Sequence, residues 1–205
     1  MTASASVASR LLLLTALSGL ALGGAAVWLG VAEGAIALWG FGAAYLLQVP
    51  PALSLRQRVL DGLGNSGLER ERLTLRSVSF LMRLLALGMA MAAVSAWLGE
   101  RVPQAGLLPL GVGILAVGCL GLLWRLKLPL AGLHPALALD ASRARTLSAL
   151  ALLLLVACLL GRWFPWADAA AGAVMAMGLF AEGRTLAKAT TLQAACGNCG
   201  SCGCG

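Results

Sequence analysis

Apolar residues in this chain come in continuous runs, without the alternation of a half-buried strand. The runs occupy roughly 11–30, 34–51, 78–98, 105–124, 146–164 and 167–187. Most approach the ~20 residues that an α-helix needs to cross about 30 Å of hydrocarbon. Backbone N–H and C=O groups cannot go unpaired in lipid, so a spanning chain is either helical or a closed barrel, and barrel strands alternate apolar and polar positions. The pattern predicts an all-α integral membrane bundle of six transmembrane helices. The segments between the runs read as turns. Glu33 sits in a very short turn before the second span, and Pro50-Pro51 ends or kinks that span. "RQRVLDGLGNSGLERERLTLR" is the one long polar connection, and "GERVPQAG" joins the third span to the fourth. "RLKLPLAGLHPALALDASRAR" joins the fourth to the fifth, which can begin as early as Pro135. "GRWFPWAD" is the last turn, with Trp163 and Trp166 placed as an aromatic belt at the membrane interface. The first run also reads as a secretory leader, an apolar core followed by small residues at Gly23 to Ala26, and its removal would leave the later topology unchanged.

Composition narrows the class. Of 205 residues, 60% are hydrophobic and 11% charged, too apolar and too charge-poor for an ordinary soluble domain. Charge then sets orientation. Arg10, Arg56, Arg58, Arg70, Arg72, Arg76, Arg125, Lys127, Arg143, Arg145, Arg184 and Lys188 all fall on one side of a six-span arrangement. Arg101 and Arg162 fall on the other, and Arg83 lies inside the third span. Basic loops stay in the cytoplasm, which predicts a multi-pass protein of a bacterial-type inner (plasma) membrane with both termini cytoplasmic. The chain then divides into an N-terminal cytoplasmic segment (1–10), a six-helix transmembrane domain (11–189) and a Cys/Gly-rich cytoplasmic tail (190–205). The net charge of +7 is explained by loops beside an anionic leaflet and calls for no nucleic acid. No phosphate-binding loop, dinucleotide fingerprint or nucleophile–base pairing is discernible, so neither ATP-driven transport within this chain nor enzymatic chemistry is expected.

Three stretches carry a family resemblance: "GAIALWGFGAAYLLQ" (34–48), "LERERLTLRSVSFLM" (68–82) and the long segment 136–189, with its Trp-Ala-Asp turn and its Glu-Gly-Arg near the end of the sixth span. In their order and spacing they resemble the cation diffusion facilitator (cation efflux) family, in its compact six-helix subgroup without a C-terminal cytoplasmic domain. The resemblance implies a proton-coupled exporter of divalent metals that works as a homodimer. It also implies a metal site made of two carboxylates one turn apart on the second helix and two more polar ligands at the same spacing on the fifth. Residues four apart share a helix face, and a divalent ion in a bundle needs anionic or imidazole ligands to replace its water. Here the second-helix positions hold Ala44 and Gln48. The fifth-helix positions hold Arg143 and Leu147 or, one residue earlier, Ser142 and Thr146. The fold of the family is expected and its usual ion site is altered. A transport-incompetent relative, serving as a metal-sensing regulator or as the dimer partner of a complete paralogue, is the rival expectation.

The remaining polar residues each have a plain and a functional reading. Asp140 reads first as a structural ion pair with Arg143 and second as a proton or metal group. Tyr45 and Gln48 read as helix-to-helix hydrogen bonders or as the lining of a transport pathway with Asp140 and Arg143. Arg83 is expected to snorkel to the interface, and Glu182 with Arg184 to form an interfacial anchor or charge pair. His134 is a loop residue, and Cys119 and Cys158 read as small buried hydrophobes. The tail "CGNCGSCGCG" gathers Cys196, Cys199, Cys202 and Cys204 in nine residues. In a reducing compartment thiols persist, and the spacing C-x2-C-x2-C-x-C with flexible Gly suits wrapping a thiophilic ion: Zn(II), Cd(II), Co(II) or Cu(I). The alternative is a tail that binds nothing in the cell.

Overall fold

The computed structural model describes residues 3–62, 68–99 and 107–197, with side chains described over 6–62, 68–99 and 107–188. The described residues are helical, with no strand: α1 Ala3–Ser18, a π-helical turn Gly19–Gly23, α2 Gly24–Glu33, α3 Ile36–Leu46, α4 Val49–Leu60, α5 Leu68–Leu98, α6 Leu107–Ala131, α7 Pro135–Leu160 and α8 Ala167–Gly197. They stack into six rods, because α1 runs through the π turn into α2, and α3 is separated from α4 only by Leu47 and Gln48. Five rods are long and apolar enough to cross a bilayer: Ser6–Glu33, Ile36–Leu60, Leu68–Leu98, Leu107–Ala131 and Pro135–Leu160. The sixth, α8, falls short of that measure, since Asp168, Glu182 and Arg184 dilute a stretch already rich in Ala and Gly.

The helices outrun the apolar patches. The third begins at Leu68, not near 78, because "LERERLTLR" is made of strong helix formers and places Glu69 and Glu71 in the first turn, where acids suit the helix dipole. Pro50-Pro51 does not end the second rod; both prolines occupy the first turn of α4, where a missing N–H is tolerated, and the rod resumes to Leu60. The fifth helix starts at Pro135. His134 caps it, its Nδ1 accepting from Ala136 N at 3.1 Å. His134 lies between the spans, where burial first and the Arg58 charge second hold the imidazole below its ordinary value of 6.5.

The second rod is the centre. Two thirds of its most apolar window is buried (67%), against 28–39% for the other four spans. Around α3 pack α2, the π turn, α5, α7 and α8, while α5 lies along α8, α6 along α7 and α1 along α4. Leu38, Phe41 and Tyr45 of α3 are fully buried and join a single core with Met89, Leu120, Leu154, Met175 and Leu179. In lipid the hydrophobic effect does not drive helix pairing, so close van der Waals fit has to. Glycine supplies that fit where the first two rods cross: a Cβ on Gly42 would stand 2.6 Å from the Gly23 carbonyl oxygen, and one on Gly30 would overlap the Trp39 backbone nitrogen. Between these rods Gly34 turns the chain with φ +68°, a conformation only glycine adopts readily. Asp168, at the start of α8, accepts from the Ile36 and Ala37 N–H groups at 2.7 and 3.1 Å. These are two of the donors a helix N-terminus leaves unpaired, so one carboxylate caps α3 and anchors α8 to it.

Gly30→Ala is expected to destabilise the protein by about 1–3 kcal/mol through overpacking against fixed backbone. Gly24→Ala, with nothing within 4 Å of the added methyl, should be neutral or stabilising. Thermal unfolding in detergent measures both.

Candidate functional site

The α6–α7 hairpin brings two opposite charges together inside the bundle. Lys127 Nζ lies 2.7 Å from Asp140 Oδ2, with the two residues 4% and 8% exposed. At that burial an unpaired charge is prohibitive, and the pair exists because each ion supplies the other's missing solvent. Two small hollows of about 10 Å³ each adjoin the pair. Thr15 and Gln48 wall the first, together with Leu120, Leu123, Ala144 and Leu147. Ala8, Leu11, Leu12, Leu130 and Leu137 wall the second, which offers no polar side chain beyond the ion pair itself. A volume of this size holds about one water molecule. Thr15 spends its hydroxyl proton on the Leu11 carbonyl at 2.8 Å, which leaves its oxygen free to accept. Gln48 is buried, 5% exposed, on the wall of this hollow.

A second charged layer lies in the same half of the bundle. Arg58 of α4 pairs with Glu71 of α5, both buried, closing the connection between those helices. Arg143, 3% exposed, has no hydrogen-bond partner for Nε or Nη2 among the described residues, and the acids whose charges act on it are Asp140, Glu182 and Glu71.

The residues singled out in the sequence divide accordingly. Gln48, Asp140 and Leu147 meet at one hollow. Ala44 is fully buried in the core that also holds Leu147, so both altered positions are packed as hydrophobes. Asp140 is paired with Lys127 instead of Arg143: Arg143 follows it by less than a turn on the same helix, whereas the Lys127 ammonium reaches it end-on from the neighbouring one. Tyr45 stands outside the hollow and shares a 2.6 Å hydrogen bond with Ser18 beside the π turn, the helix-to-helix role. In the alternative register, Ser142 is exposed and bonded to the Leu139 carbonyl, and Thr146 donates to Glu182 Oε2 at 3.2 Å, joining α7 to α8. Glu182 and Arg184 form no ion pair among the described residues. Arg83 folds back on Ser79, Nη2 to Oγ at 2.9 Å. Cys119 and Cys158 are half-buried instead of fully buried. Cys196 falls in the last turn of α8, while Cys199, Cys202 and Cys204 lie outside the described residues. Among the described residues no three His, Cys, Asp or Glu side chains gather as a metal site would require.

Two members of the site were invisible in the sequence. Lys127 looked like one of a set of loop cations because the apolar run stops near 124, although "LKLPL" keeps the helical, mostly apolar pattern to Ala131. Thr15 is a single polar residue in a leucine-rich run. A scan against protein-family models and a search of curated proteins both find no match to this chain.

Removing one partner of the buried pair, by Asp140→Asn or Lys127→Met, should cost about 3–5 kcal/mol, and the double variant should recover most of that loss. A double-mutant cycle on thermal unfolding reads the coupling directly.

Proposed function

We propose that the chain is a multi-pass membrane transporter of cations that works by exchange on Asp140. The observation that carries the reading is the buried Lys127–Asp140 pair with a partly polar hollow beside it. Ionisable groups at membrane depth are costly and mark ion pathways, and broken helices line such sites in transporters. The break in the second rod falls at Gln48, on the wall of that hollow. In this scheme Asp140 holds the Lys127 ammonium while the carrier is empty of cargo, and an incoming cation displaces it. The family resemblance supports the reading in one further respect: of the positions it assigns to the ion site, one on the second helix, Gln48, and one on the fifth, Leu147, line one hollow, although Ala44, Arg143, Ser142 and Thr146 do not.

The cargo class follows from the resemblance: divalent or thiophilic heavy metals exported across an inner membrane, by a homodimer or a heterodimer with a paralogue. The distribution of Arg and Lys supports cytoplasmic termini. Cys196, Cys199, Cys202 and Cys204 then collect metal at the inner mouth.

Proteoliposomes should show uptake of Zn(II), Cd(II), Co(II), Cu(I) or an alkali cation above empty vesicles, and Asp140→Asn should reduce it at least tenfold. The second reading, a transport-incompetent regulator or dimer partner, draws on Ala44 and Leu147 packed into the core. Absence of flux for every cation tested would favour it.

Deleting residues 196–204 should abolish high-affinity Zn(II) or Cu(I) binding by the purified protein. Unchanged binding would reject the role of the tail.

A further inference from the structure

We infer that His134 is a pH-sensing residue: protonating its imidazole releases the start of α7 and loosens the helical turn that walls a hollow beside Asp140. The inference concerns how this end of the bundle responds to acid, and it stands whichever ion the chain carries.

The first turn of α7 hangs on one residue. A helix leaves its first N–H groups without partners inside it, and those here belong to Ala136, Leu137 and Ala138, since Pro135 has none. His134 satisfies all three. Its Nδ1 accepts from Ala136 N at 3.1 Å, and its carbonyl oxygen accepts from Leu137 N at 3.0 Å and from Ala138 N at 3.1 Å. The Ala136 bond needs a lone pair on Nδ1, so the cap exists only with a neutral imidazole that carries its hydrogen on Nε2. Ala136 and Leu137 are buried and pack with Ala8 and Leu12 of α1 and with Leu55 and Val59 of α4. Leu137 also walls one of the two hollows that adjoin the Lys127–Asp140 pair. Cap, packing and hollow are joined within one turn of helix.

A proton on Nδ1 undoes this arrangement. The acceptor becomes a donor facing the Ala136 N–H, a buried amide loses the partner it has, and a positive charge is set at the positive end of the helix dipole. The surroundings also oppose that charge. Burial comes first and the Arg58 guanidinium of α4 second; Glu71 of α5 favours it but is already paired with Arg58. On the other helices at this end, Lys127 of α6 is paired with Asp140 of α7, and Arg125 of α6 and Arg10 of α1 are exposed. The folded protein therefore holds this imidazole neutral below its ordinary value of 6.5. The cap's contribution to stability is whole above pH 6.5 and is lost as the pH falls through the lower folded value. Protons have a route to the ring, because Gly132, Leu133 and Pro135 around it are exposed between the spans.

The test is amide hydrogen exchange on the full-length protein in detergent at about pH 8 and about pH 5, with each rate corrected for intrinsic exchange. Protection at Ala136 and Leu137 should fall at least tenfold on acidification of the wild-type protein. His134→Asn keeps a side-chain acceptor and does not titrate, so it should hold that protection at both pH values. His134→Ala, with no acceptor, should leave Ala136 unprotected at both. Wild-type protection indifferent to pH, or an acid-induced loss of the same size in His134→Asn, would overturn the sensor. A loss confined to Ala136, with Leu137 unchanged, would overturn its link to the hollow. No ion flux enters the measurement, so its failure and that of the carrier reading are told apart.

Discussion

A charge taken into hydrocarbon must bring its own solvent, and in this bundle that requirement falls on one contact between α6 and α7. Lys127 and Asp140 meet at 2.7 Å among leucines and alanines. Their mutual attraction does not make the protein more stable than an apolar pair would, because desolvation takes back what Coulomb attraction supplies. A bundle selected only for stability would have filled this position with leucine. What sets the pair apart from such a filling is that two small hollows adjoin it.

The rest of the fold holds that contact in place. Glycine-mediated crossing of the first two rods sets how closely α1 approaches the centre, and so where Thr15 stands relative to Gln48. At the other end of α3, Asp168 caps its first turn and ties down α8. The Arg58–Glu71 pair clamps α4 to α5 across their short connection. The middle of the bundle is thus bounded by polar clamps at both ends, with an almost wholly apolar core between them.

The all-helical class and the five helices long and apolar enough to cross a bilayer were legible in runs of apolar residues, because lipid leaves helices as the only open-chain solution. Helix ends were not, since hydropathy marks where a helix meets lipid and not where its hydrogen bonds stop. That is why the third helix begins ten residues before its apolar run and why Lys127 was assigned to a loop. Gln48, Asp140 and Leu147 could be singled out, two by polarity at membrane depth and one by a motif position, and they do share a hollow. Which cation Asp140 would choose could not be read. Arg143, three residues away, was the visible neighbour, while the true partner is set by how two helices dock, a property no local window contains. The Ser18–Tyr45 bond and the Asp168 cap span 27 and 132 residues of sequence and were equally out of reach.

The double proline of the second rod has a mechanical meaning. Pro50 and Pro51 carry no N–H, so the carbonyls of Leu46 and Leu47 receive none of the bonds that stiffen an unbroken helix. Bending at this level therefore meets two fewer backbone bonds than in an unbroken helix, although Gln48 N–H still donates to the Tyr45 carbonyl and Ala52 N–H to the Gln48 carbonyl. Above it α3 is pinned by glycine contacts and by Asp168; below it α4 leans on α1 and on the Arg58 clamp. The rod is a lever with its fulcrum at Gln48, and any tilt of its lower arm reshapes the chamber that the amide borders.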